Sequence, residues 1–536
     1  MKFSLCRLNP HFYKRSRLRT SIRGYHSICK NKKIGLFRKI KSELSQVPVP
    51  RVTNEASPYF FGASIFNAER VVRQLLLDKC ANSKMYNSIL YSIGNSSSVR
   101  YAMPKIWREE IQRNGVEVNQ FFSSLGWFFL LLARFSRGFL SIFKIIKNMM
   151  QAQMFSPPLG AYVYFDGLTP NNLPQINNKQ PSYDICTWYS KWEGRGSLVK
   201  VIRHNAQKNL TSISGLNVEG MDAPPYLLFR SPYLVAKFFA WCVLASMRAL
   251  IELMCGRWWH AFILEEAVKA KAMSFAQIEN IAEEYLFHYS GSVYRPMWTY
   301  EAEKKGSRVI LYFYSVFEQP RLPQGYESQK YEWGASSWPI HLVWDKWQKE
   351  QLKRDLEVAP EIHIVGPIYF SDGAENIQFT PNSIAVFDVE PHKLSKHFPQ
   401  STLSEYLAEY PDLNVRFLND IQTVLSEMGQ IMVIKRKRDV SGRTRRGYLK
   451  ALKEISSKAG VVFLPSSISP CKVINQSVGV ISIPFTSTAL LAQAHDVPSV
   501  YYDPTGWINK NDRAAHNVPV ISGIDELRRW IKSLPS

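Results

Sequence analysis

Hydroxyl side chains follow a strongly apolar segment late in the chain. Residues 480–483 have the composition of a buried strand, and Pro484 cannot continue the hydrogen-bond ladder of a strand. Thr486, Ser487 and Thr488 then stand where a helix begins. At the carboxyl edge of a parallel sheet, such hydroxyls and the backbone N–H groups beside them can bind a phosphate. A plain helix cap is the alternative, and it is the commoner meaning of such a triplet.

A run of cations begins at the end of another predicted strand in the same part of the chain. Lys435 and Arg436 directly follow the apolar residues 431–434. Because the carboxyl ends of parallel strands lie at one edge of a sheet, these cations and the hydroxyls can converge on one crevice. The alternative is a solvated basic face. Together the two groups predict a site for a phosphorylated ligand.

Asp166 is the candidate for acid–base chemistry. It ends a short strand predicted at residues 161–165, and the next residue, Gly167, leaves room for a substrate. A carboxylate at such a place can remove the proton of an attacking hydroxyl. An Asp-Gly turn without chemistry is the alternative. His288, which is followed by small residues that can contact phosphate, and Glu301 are secondary candidates.

The charge balance narrows the class of partner. The 536-residue chain carries 67 Lys and Arg against 44 Asp and Glu, and the net charge of +23 indicates a polyanionic partner. Residues 1–42 hold 13 of the cations and no acid, and residues 435–446 hold seven cations and one acid. The remaining sequence is nearly balanced and has no recognisable nucleic-acid-binding motif. We therefore expect a phosphorylated substrate and an anionic membrane surface as partners, and no nucleic acid.

Cysteine usage and the N-terminal residues indicate the compartment. The seven cysteines are scattered without a Cys-x-x-Cys spacing, which argues against a disulfide framework and a structural zinc site. The basic N-terminal residues lack the apolar core of a secretory signal, and a mitochondrial presequence is the weaker alternative. We expect a cytoplasmic protein that is peripheral on the inner face of the membrane.

Two apolar stretches have nearly the length of a membrane span. Residues 127–146 contain three cations, so they predict either an interfacial amphipathic helix or a long core helix. Residues 233–254 contain two cations, and there we favour the core helix. Neither stretch is a clean transmembrane segment of about 20 apolar residues.

Alternating apolar strands and amphipathic helices predict an α/β protein with parallel sheets. We assign residues 1–50 to a basic arm and residues 51–345 to an N-terminal α/β domain with helical insertions. Residues 346–360 are the predicted linker, and residues 361–536 are the predicted C-terminal domain. Five predicted strands with crossover helices in that domain describe a doubly wound, Rossmann-like sheet.

Several segments together resemble one protein family. Pro-Phe-Thr-Ser at residues 484–487 and the downstream residues 498–506 are similar to the signature of the bacterial polysaccharide-biosynthesis proteins named for a PFTS motif. Further segments match the same pattern: residues 295–306, 365–368 and 386–389. These proteins are similar to GT-B glycosyltransferases. The resemblance, which covers about residues 160–520, implies two Rossmann-like domains facing across a cleft, with helical N-terminal elaborations.

The motif layout also resembles that of GT-B sialyl- and Kdo-transferases. By that resemblance Asp166 stands for their acidic residue before a glycine, and Ser487 and Thr488 stand for the hydroxyl pair that binds the CMP part of the donor. Residues 435–437 take the place where those families have His-Pro. This departure leaves UDP- and GDP-linked donors open beside the favoured CMP-linked donor.

The resemblance also assigns sides to the two domains. Residues 51–345 become the acceptor side and residues 361–536 the domain that binds the donor nucleotide. Tyr502 and Asp503 follow a predicted strand there, beside the expected place of the donor's base or sugar. A simple turn is the alternative for these two residues.

The resemblance implies a glycosyltransferase of bacterial surface polysaccharide synthesis, in the capsule or O-antigen class. It would transfer a sugar from a nucleotide-activated donor to a glycan or lipid-linked acceptor. Because fixed cations and oriented N–H groups can stabilise a leaving phosphate, we expect no metal and no other cofactor. The alternative is a non-catalytic, nucleotide-sugar-binding scaffold of a polysaccharide assembly complex.

Overall fold

The computed structural model describes residues 120–151, 162–168, 185–192, 201–204, 217–221, 224–227, 231–255, 259–288, 295–316, 336–356, 359–368, 383–391, 412–436, 439–440, 444–466 and 468–535. The predicted basic arm at residues 1–50 lies outside the described residues, as does the start of the predicted N-terminal domain up to residue 119.

Parallel strands form a first sheet, and the strands are β1 (Tyr162–Asp166), β2 (Val201–His204), β3 (Asn217–Gly220), β4 (Glu284–His288), β5 (Arg308–Tyr312), β6 (Ile340–Val343) and β7 (Glu361–Ile364). Their order across the sheet is β3-β2-β1-β4-β5-β6-β7. This is the Rossmann order 3-2-1-4-5-6 with one strand added at the edge.

A second sheet, also parallel, contains β8 (Ser383–Phe387), β9 (Ile431–Lys435), β10 (Val461–Leu464), β11 (Gly479–Ser482), β12 (Ser499–Asp503) and β13 (Val520–Ser522). Its order is β10-β9-β8-β11-β12-β13, which is again 3-2-1-4-5-6 when the strands are counted from β8. The predicted α/β fold with two Rossmann-like sheets is therefore confirmed.

The helices are α1 (Gln120–Gln151), α2 (Ile185–Lys191), α3 (Pro232–Met254), α4 (Trp259–Ser274), α5 (Trp298–Lys304), α6 (Lys346–Asp355), α7 (Leu413–Glu427), α8 (Arg446–Ser456), α9 (Pro470–Asn475), α10 (Ser487–Ala494) and α11 (Gly523–Lys532). Most of them connect successive strands, as crossovers of a parallel sheet must.

Both faces of the first sheet are buried, which explains the nearly continuous apolar strands. Tyr162 and Tyr164 of β1 belong to one buried cluster with Trp298, and the alternate residues Val163 and Phe165 belong to another. A polar residue at the middle of such a strand would have no solvated face. Asp166 and His288 lie at the carboxyl ends of their strands, where a site can form.

The predicted strands of the second sheet are confirmed to within two residues, and β13 was not predicted because it has only three residues. The predicted domain boundary at residues 346–360 was wrong. Residues 346–355 form α6, and β7 after it pairs in parallel with β6 in the first sheet. The C-terminal sheet starts at β8, so the passage between the sheets lies in residues 365–382.

Three helices form a separate unit with its own core, and we call α1, α3 and α4 the helical unit. Their buried residues make one apolar cluster that includes Leu131, Phe238 and Ile263. A Cβ on Gly138 of α1 would lie 2.7 Å from the Leu264 side chain of α4, so the glycine permits close packing of these helices. The two apolar stretches noted in the sequence, α1 and α3, thus each bury one face in this core.

Of the described helices, α3 is the one long and apolar enough to cross a bilayer by length and composition. That criterion alone is also met by core helices of proteins without a membrane span. Residues 233–254 are predicted to form a core helix, and one face of α3 agrees with this, since its Phe238 and Cys242 are fully buried. The opposite face is exposed and apolar, which the sequence interpretation did not include.

Candidate active site at the carboxyl edges of two sheets

The first sheet places Asp166, Gly167 and His288 side by side. Strand order reverses between β1 and β4, and the crevice outside such a reversal is where open α/β sheets bind ligands. Asp166 ends β1 opposite Phe287 of β4. The Nε2 atom of His288, the last residue of β4, lies 3.1 Å from the carbonyl oxygen of Gly167. Three residues predicted from sequence are therefore neighbours at this edge.

Burial shapes the chemistry of Asp166. Burial raises the pKa of this carboxyl, while the nearby His288 and a hydrogen bond with Tyr164 lower it. A carboxylate with a raised pKa is a stronger base when ionised, which suits the removal of a hydroxyl proton. Gly167 has a φ of +74°, in the left-handed region, so the chain turns sharply after Asp166. The Nδ1 atom of His288 is buried and has no hydrogen-bond partner among the described residues.

Glu301, also predicted as a candidate, lies elsewhere. It is on α5, which leads into the amino end of β5, whereas Asp166 lies at the carboxyl edge. Its carboxylate is 3.6 Å from the ammonium of Lys304, and burial raises its pKa. The charged groups that act on Glu301 are Lys304, Lys271 and Lys305, and neither Asp166 nor His288 is among them.

The second sheet brings the predicted cations and the PFTS segment to one edge. Its strand order reverses between β8 and β11, and β9 lies on the other side of β8. The end of β11 lies beside the end of β8, because the amide of Ile483 donates to the carbonyl of Phe387 over 3.0 Å. The end of β9 lies on the other side of β8, because Ile434 pairs with Val386 and Lys435 is the next residue. With strands about 4.8 Å apart, the ends of β9 and β11 are separated by about 10 Å.

A buried polar cluster occupies the reversal point of this sheet. Asp388, the residue after β8, accepts a hydrogen bond from the Tyr448 hydroxyl. Burial raises the pKa of Asp388 to about 6, against the opposing effects of Tyr448 and of the Arg436 guanidinium. Asp388 Oδ1, Arg436 Nε and Asn414 Oδ1 are buried without a hydrogen-bond partner among the described residues. Buried polar atoms are ordinarily satisfied, so this cluster has unused capacity for a ligand or water.

The hydroxyls of the PFTS segment are largely engaged with the protein. Thr486 donates to the carbonyl of Ile483 over 2.9 Å, and the hydroxyls of Ser482 and Thr488 are 2.8 Å apart. Helix α10 begins at Ser487. The structure thus places all three predicted hydroxyls at the predicted helix start and carboxyl edge. The backbone N–H groups of the first turn are the groups there that an intrahelical carbonyl cannot satisfy.

Ser487 also joins the two sheets. Its Oγ accepts a hydrogen bond from the amide of Val316 over 3.0 Å and lies 3.4 Å from the carbonyl oxygen of the same residue. Val316 follows β5 at the carboxyl edge of the first sheet. A second link connects the sheets, since Nδ1 of His516 is 2.6 Å from a carboxylate oxygen of Asp345. The carboxyl edges of the two sheets therefore meet at the PFTS segment.

Lys435 and Arg436 differ in surroundings. Lys435 is a strand residue and is 4 % exposed, whereas Arg436 lies just past the strand and acts on Asp388. The guanidinium is therefore the better placed of the two predicted cations to meet an anion in the crevice.

Tyr502 and Asp503 lie at the carboxyl end of β12, next to β11, and their polar groups bond within the protein. The Tyr502 hydroxyl donates to Asp420 of α7 over 2.8 Å, and its ring packs against Phe417 of the same helix. Asp503 is fully buried and accepts hydrogen bonds from the amides of Thr505 and Ile508, both over 2.8 Å. These contacts stabilise the turn after β12, which is the alternative that the sequence left open.

Sequence reasoning missed three residues of the candidate site, namely Asp388, Tyr448 and Tyr501. The Tyr501 hydroxyl donates to the carbonyl oxygen of Thr486 over 2.7 Å and so holds the PFTS segment in place. The available signal for Asp388 was an acid at the end of a buried strand, the same signal that identified Asp166. Within the part of the chain that the structure describes, no group of three or more His, Cys, Asp or Glu residues could hold a metal ion.

Comparison with known proteins gives one family match. The family model described as "Polysaccharide biosynthesis PFTS motif protein" matches residues 235–531, which is more than half of the chain. No curated protein matches the sequence.

Solved structures match at low identity. A wall teichoic acid polymerase, TagF, is 9 % identical with a TM-score of 0.39, and the match covers 75 % of this chain and 89 % of that one. The UDP-GlcNAc 2-epimerase of Methanocaldococcus jannaschii is 10 % identical with a TM-score of 0.33, covering 70 % and 92 %. TarM is 13 % identical with a TM-score of 0.29, and the match spans about half of each chain, 47 %.

Proposed function

Because the chain belongs to the polysaccharide biosynthesis PFTS motif family, we propose that it is a glycosyltransferase that builds a bacterial surface glycan of the capsule or O-antigen class. It transfers a sugar from a nucleotide-activated donor to a hydroxyl of a glycan or lipid-linked acceptor. The observation that carries this proposal is the meeting of two Rossmann-order sheets at their carboxyl edges, through Ser487 and Val316.

The second sheet supplies the donor site. Arg436 and the first-turn N–H groups of α10 lie at the edge where the strand order reverses, and both favour a negatively charged phosphate. Lys435 adds positive charge at the same edge. When the sugar leaves, negative charge develops on the phosphate oxygen, and fixed donors stabilise it without reorganisation. We assign this role to the protein's own cations and amides, with no metal ion, and favour CMP as the nucleotide.

The first sheet supplies the base. The acceptor hydroxyl loses its proton to the Asp166 carboxylate while its oxygen bonds to the anomeric carbon of the donor sugar. The bond from that carbon to the phosphate oxygen breaks, and its electron pair leaves with the nucleotide. His288 contacts the carbonyl oxygen of Gly167 at the turn, and it lowers the pKa of the Asp166 carboxyl against the larger effect of burial.

A thermal-shift screen against CMP, UDP, GDP and CDP tests the donor site. A nucleotide that binds only the folded protein at 100 times its Kd adds about 2.7 kcal/mol of stability. We expect one nucleotide to raise the Tm of the wild type and of Arg528→Gln, which removes a half-buried arginine on α11 that is ion-paired with Glu427 and Asp525. The Arg436→Gln variant should lose the shift.

Transfer of radiolabelled sugar from the matching donor then tests turnover. If none of the four nucleotides moves the Tm, the donor site is wrong. If a nucleotide binds and no sugar is transferred to any glycan or lipid-linked acceptor, the scaffold alternative is correct.

A further inference from the structure

Exposed apolar side chains concentrate on one surface of the helical unit. Among the described residues, 14 of the 18 large hydrophobic side chains that are exposed belong to α1 or α3. The six on α1 are Phe128, Phe129, Leu132, Phe139, Leu140 and Phe143, and the eight on α3 are Tyr233, Phe239, Val243, Leu244, Met247, Leu250, Ile251 and Met254. Monomeric proteins seldom leave so large an apolar patch facing water.

On both helices, α1 and α3, one face is buried and the opposite face is exposed. On α3, Phe238, Cys242 and Ala249 are buried in the core of the helical unit, while Leu244 and Met247 on the opposite side are 66 % and 57 % exposed. Residues on one helix face recur at spacings of three and four, so these are two distinct stripes. On α1, Leu131, Ile142 and Ile145 are buried and the phenylalanines face outward. The exposed stripe is therefore a feature of stably packed helices.

Cations flank the exposed apolar stripes. On α3, Lys237 and Arg248 are eleven residues apart, and at about 100° per residue they fall within about 20° of each other around the helix. On α1, Arg137 and Lys144 are seven residues apart and are aligned equally closely. Each helix thus has an apolar sector with a row of cations beside it, as in helices that lie in a membrane interface.

The net charge of this surface is positive. Helix α1 contains no acidic residue, and the one acid of α3, Glu252, is buried and ion-paired with Arg248 at 2.5 Å. In a two-fold symmetric dimer formed through this surface, the positive surface of one chain would face that of the other, and the like charges would repel. A bilayer that contains anionic lipid offers both an apolar interior and negative headgroups. Charge complementarity therefore selects a lipid surface over a second copy of the chain.

The helices lie on this surface and do not cross it. Arg137, Lys144 and Lys147 are exposed along α1, and a cation at a bilayer centre is strongly unfavourable. Helix α3 packs against α1 and α4 along its length, so it cannot enter the bilayer alone without exposing the core of the helical unit. In the plane of the interface, the cations reach the headgroups while the apolar side chains are buried.

We propose that the exposed face of α1 and α3 is a membrane-docking surface that binds anionic lipid bilayers. This inference stands apart from the proposed transfer reaction, because it rests on the helical unit and not on the two carboxyl edges. It also gives the expected peripheral membrane location a defined structural basis. Vesicle binding by the full chain tests it, whatever the outcome of the nucleotide screen.

The apolar contribution is measured at 1 M salt, where the Debye length of about 3 Å screens the basic residues 1–42. The variant carries Leu140→Ser, Phe143→Ser, Leu244→Ser and Met247→Ser, all at exposed positions. We expect it to sediment with phosphatidylcholine–phosphatidylglycerol vesicles at least tenfold more weakly than the wild type, with an unchanged Tm.

The matched control replaces exposed apolar residues elsewhere, Ile278→Ser and Ile524→Ser, and should bind as the wild type does. Equal binding by the four-residue variant would overturn the proposal. So would a wild type that is dimeric without vesicles and becomes monomeric in that variant, since the surface would then bind a second copy.

The electrostatic contribution is measured at low salt with Lys144→Glu, Lys147→Glu and Lys237→Glu combined. One basic residue near an anionic membrane contributes about fivefold in affinity, so we expect a loss of about 100-fold or more on anionic vesicles.

A control of equal charge change carries Lys353→Glu, Lys450→Glu and Lys532→Glu, which lie on other helices. Because its net charge matches that of the test variant, it reports the effect of overall charge alone. Equal losses in the two triple variants would contradict a localised docking surface.

Discussion

The Nε2 atom of His288 lies 3.1 Å from the carbonyl oxygen of Gly167, and this contact joins the ends of β1 and β4 at the point where strand order reverses. It places the imidazole beside Asp166 and leaves the other ring nitrogen buried. The candidate base and its neighbour are therefore positioned by the sheet itself, since each side chain is at the end of its own strand.

Gly167→Ala should reduce transfer more than it reduces stability. An alanine Cβ would lie 2.5 Å from Nε2 of His288, so the ring must move and its contact with the Gly167 carbonyl is lost. Left-handed backbone adds about 1–2 kcal/mol of strain. We expect at least a tenfold lower transfer rate, together with a small loss in the free energy of unfolding measured in urea.

Gly366→Ala is the control for Gly167→Ala. Gly366 has a φ of +75° against +74° at Gly167, and its Cβ would meet nothing within 4 Å. The control therefore has the same backbone strain without the displacement of His288. If both variants lose the same activity, the His288 contact has no role in transfer.

Asp166→Asn should strongly reduce turnover and leave nucleotide binding intact. An amide keeps the size of the side chain but cannot accept the proton of the acceptor hydroxyl, and loss of general base catalysis costs about 10²–10⁴ in rate. The thermal shift with the donor nucleotide should stay unchanged, because the donor site lies on the other sheet. Glu219→Gln, which alters an exposed carboxylate on the nearby strand β3, is the control. Full activity in Asp166→Asn would exclude Asp166 as the base.

The sequence predicted the strand ends well because composition alone marks them. A buried parallel strand is a continuous apolar run, so the first polar residue after it is at the carboxyl edge. Asp166, Lys435 and Thr486 were found in this way, and the structure places each at such an edge. The same regularity could have identified Asp388.

Side-chain direction within a fully buried strand could not be predicted. Residues 499–503 are all buried, so no alternation of polar and apolar residues shows which face each side chain occupies. The sequence pattern predicts Tyr502 as a site residue, whereas the structure shows that Tyr501 contacts the PFTS segment and Tyr502 contacts α7. The boundary error at β7 has a related cause, because pairing between β6 and β7 depends on tertiary contacts and not on local pattern.

Tyr501→Phe and Tyr502→Phe form a matched pair that separates the two tyrosines. Loss of the Tyr501 hydroxyl leaves the Thr486 carbonyl without its 2.7 Å hydrogen bond and loosens the start of α10. One such bond contributes about 1 kcal/mol, so we expect the Kd of the donor nucleotide to rise about fivefold. Tyr502→Phe removes only the bond to Asp420 and should lower the Tm without changing that Kd. If Tyr502→Phe raised this Kd more than Tyr501→Phe does, Tyr502 would be the tyrosine of the donor site.

Stability should fall as pH rises through the titration of Asp388. Burial raises the pKa of this carboxyl from 3.8 to about 6, so between these values the folded protein binds a proton that the unfolded chain has lost. Where the folded state binds more protons, the free energy of unfolding decreases with increasing pH. At 1.36 kcal/mol per pKa unit, the loss between pH 4 and pH 7 is on the order of 2–3 kcal/mol. Urea unfolding of Asp388→Asn across this range should lack that loss.

Tyr448→Phe shifts the same transition in a predictable direction. The Tyr448 hydroxyl donates to Asp388 and lowers the pKa of its carboxyl. Removal of the hydroxyl should therefore raise this pKa above 6 and extend the pH range over which stability declines.

The control for Asp388→Asn is Asp525→Asn, which also removes one acid but takes it from an exposed position on α11. If the Asp388→Asn and Asp525→Asn variants show the same pH dependence as the wild type, Asp388 does not titrate in this range, and the buried polar cluster at β8 is then ionised throughout.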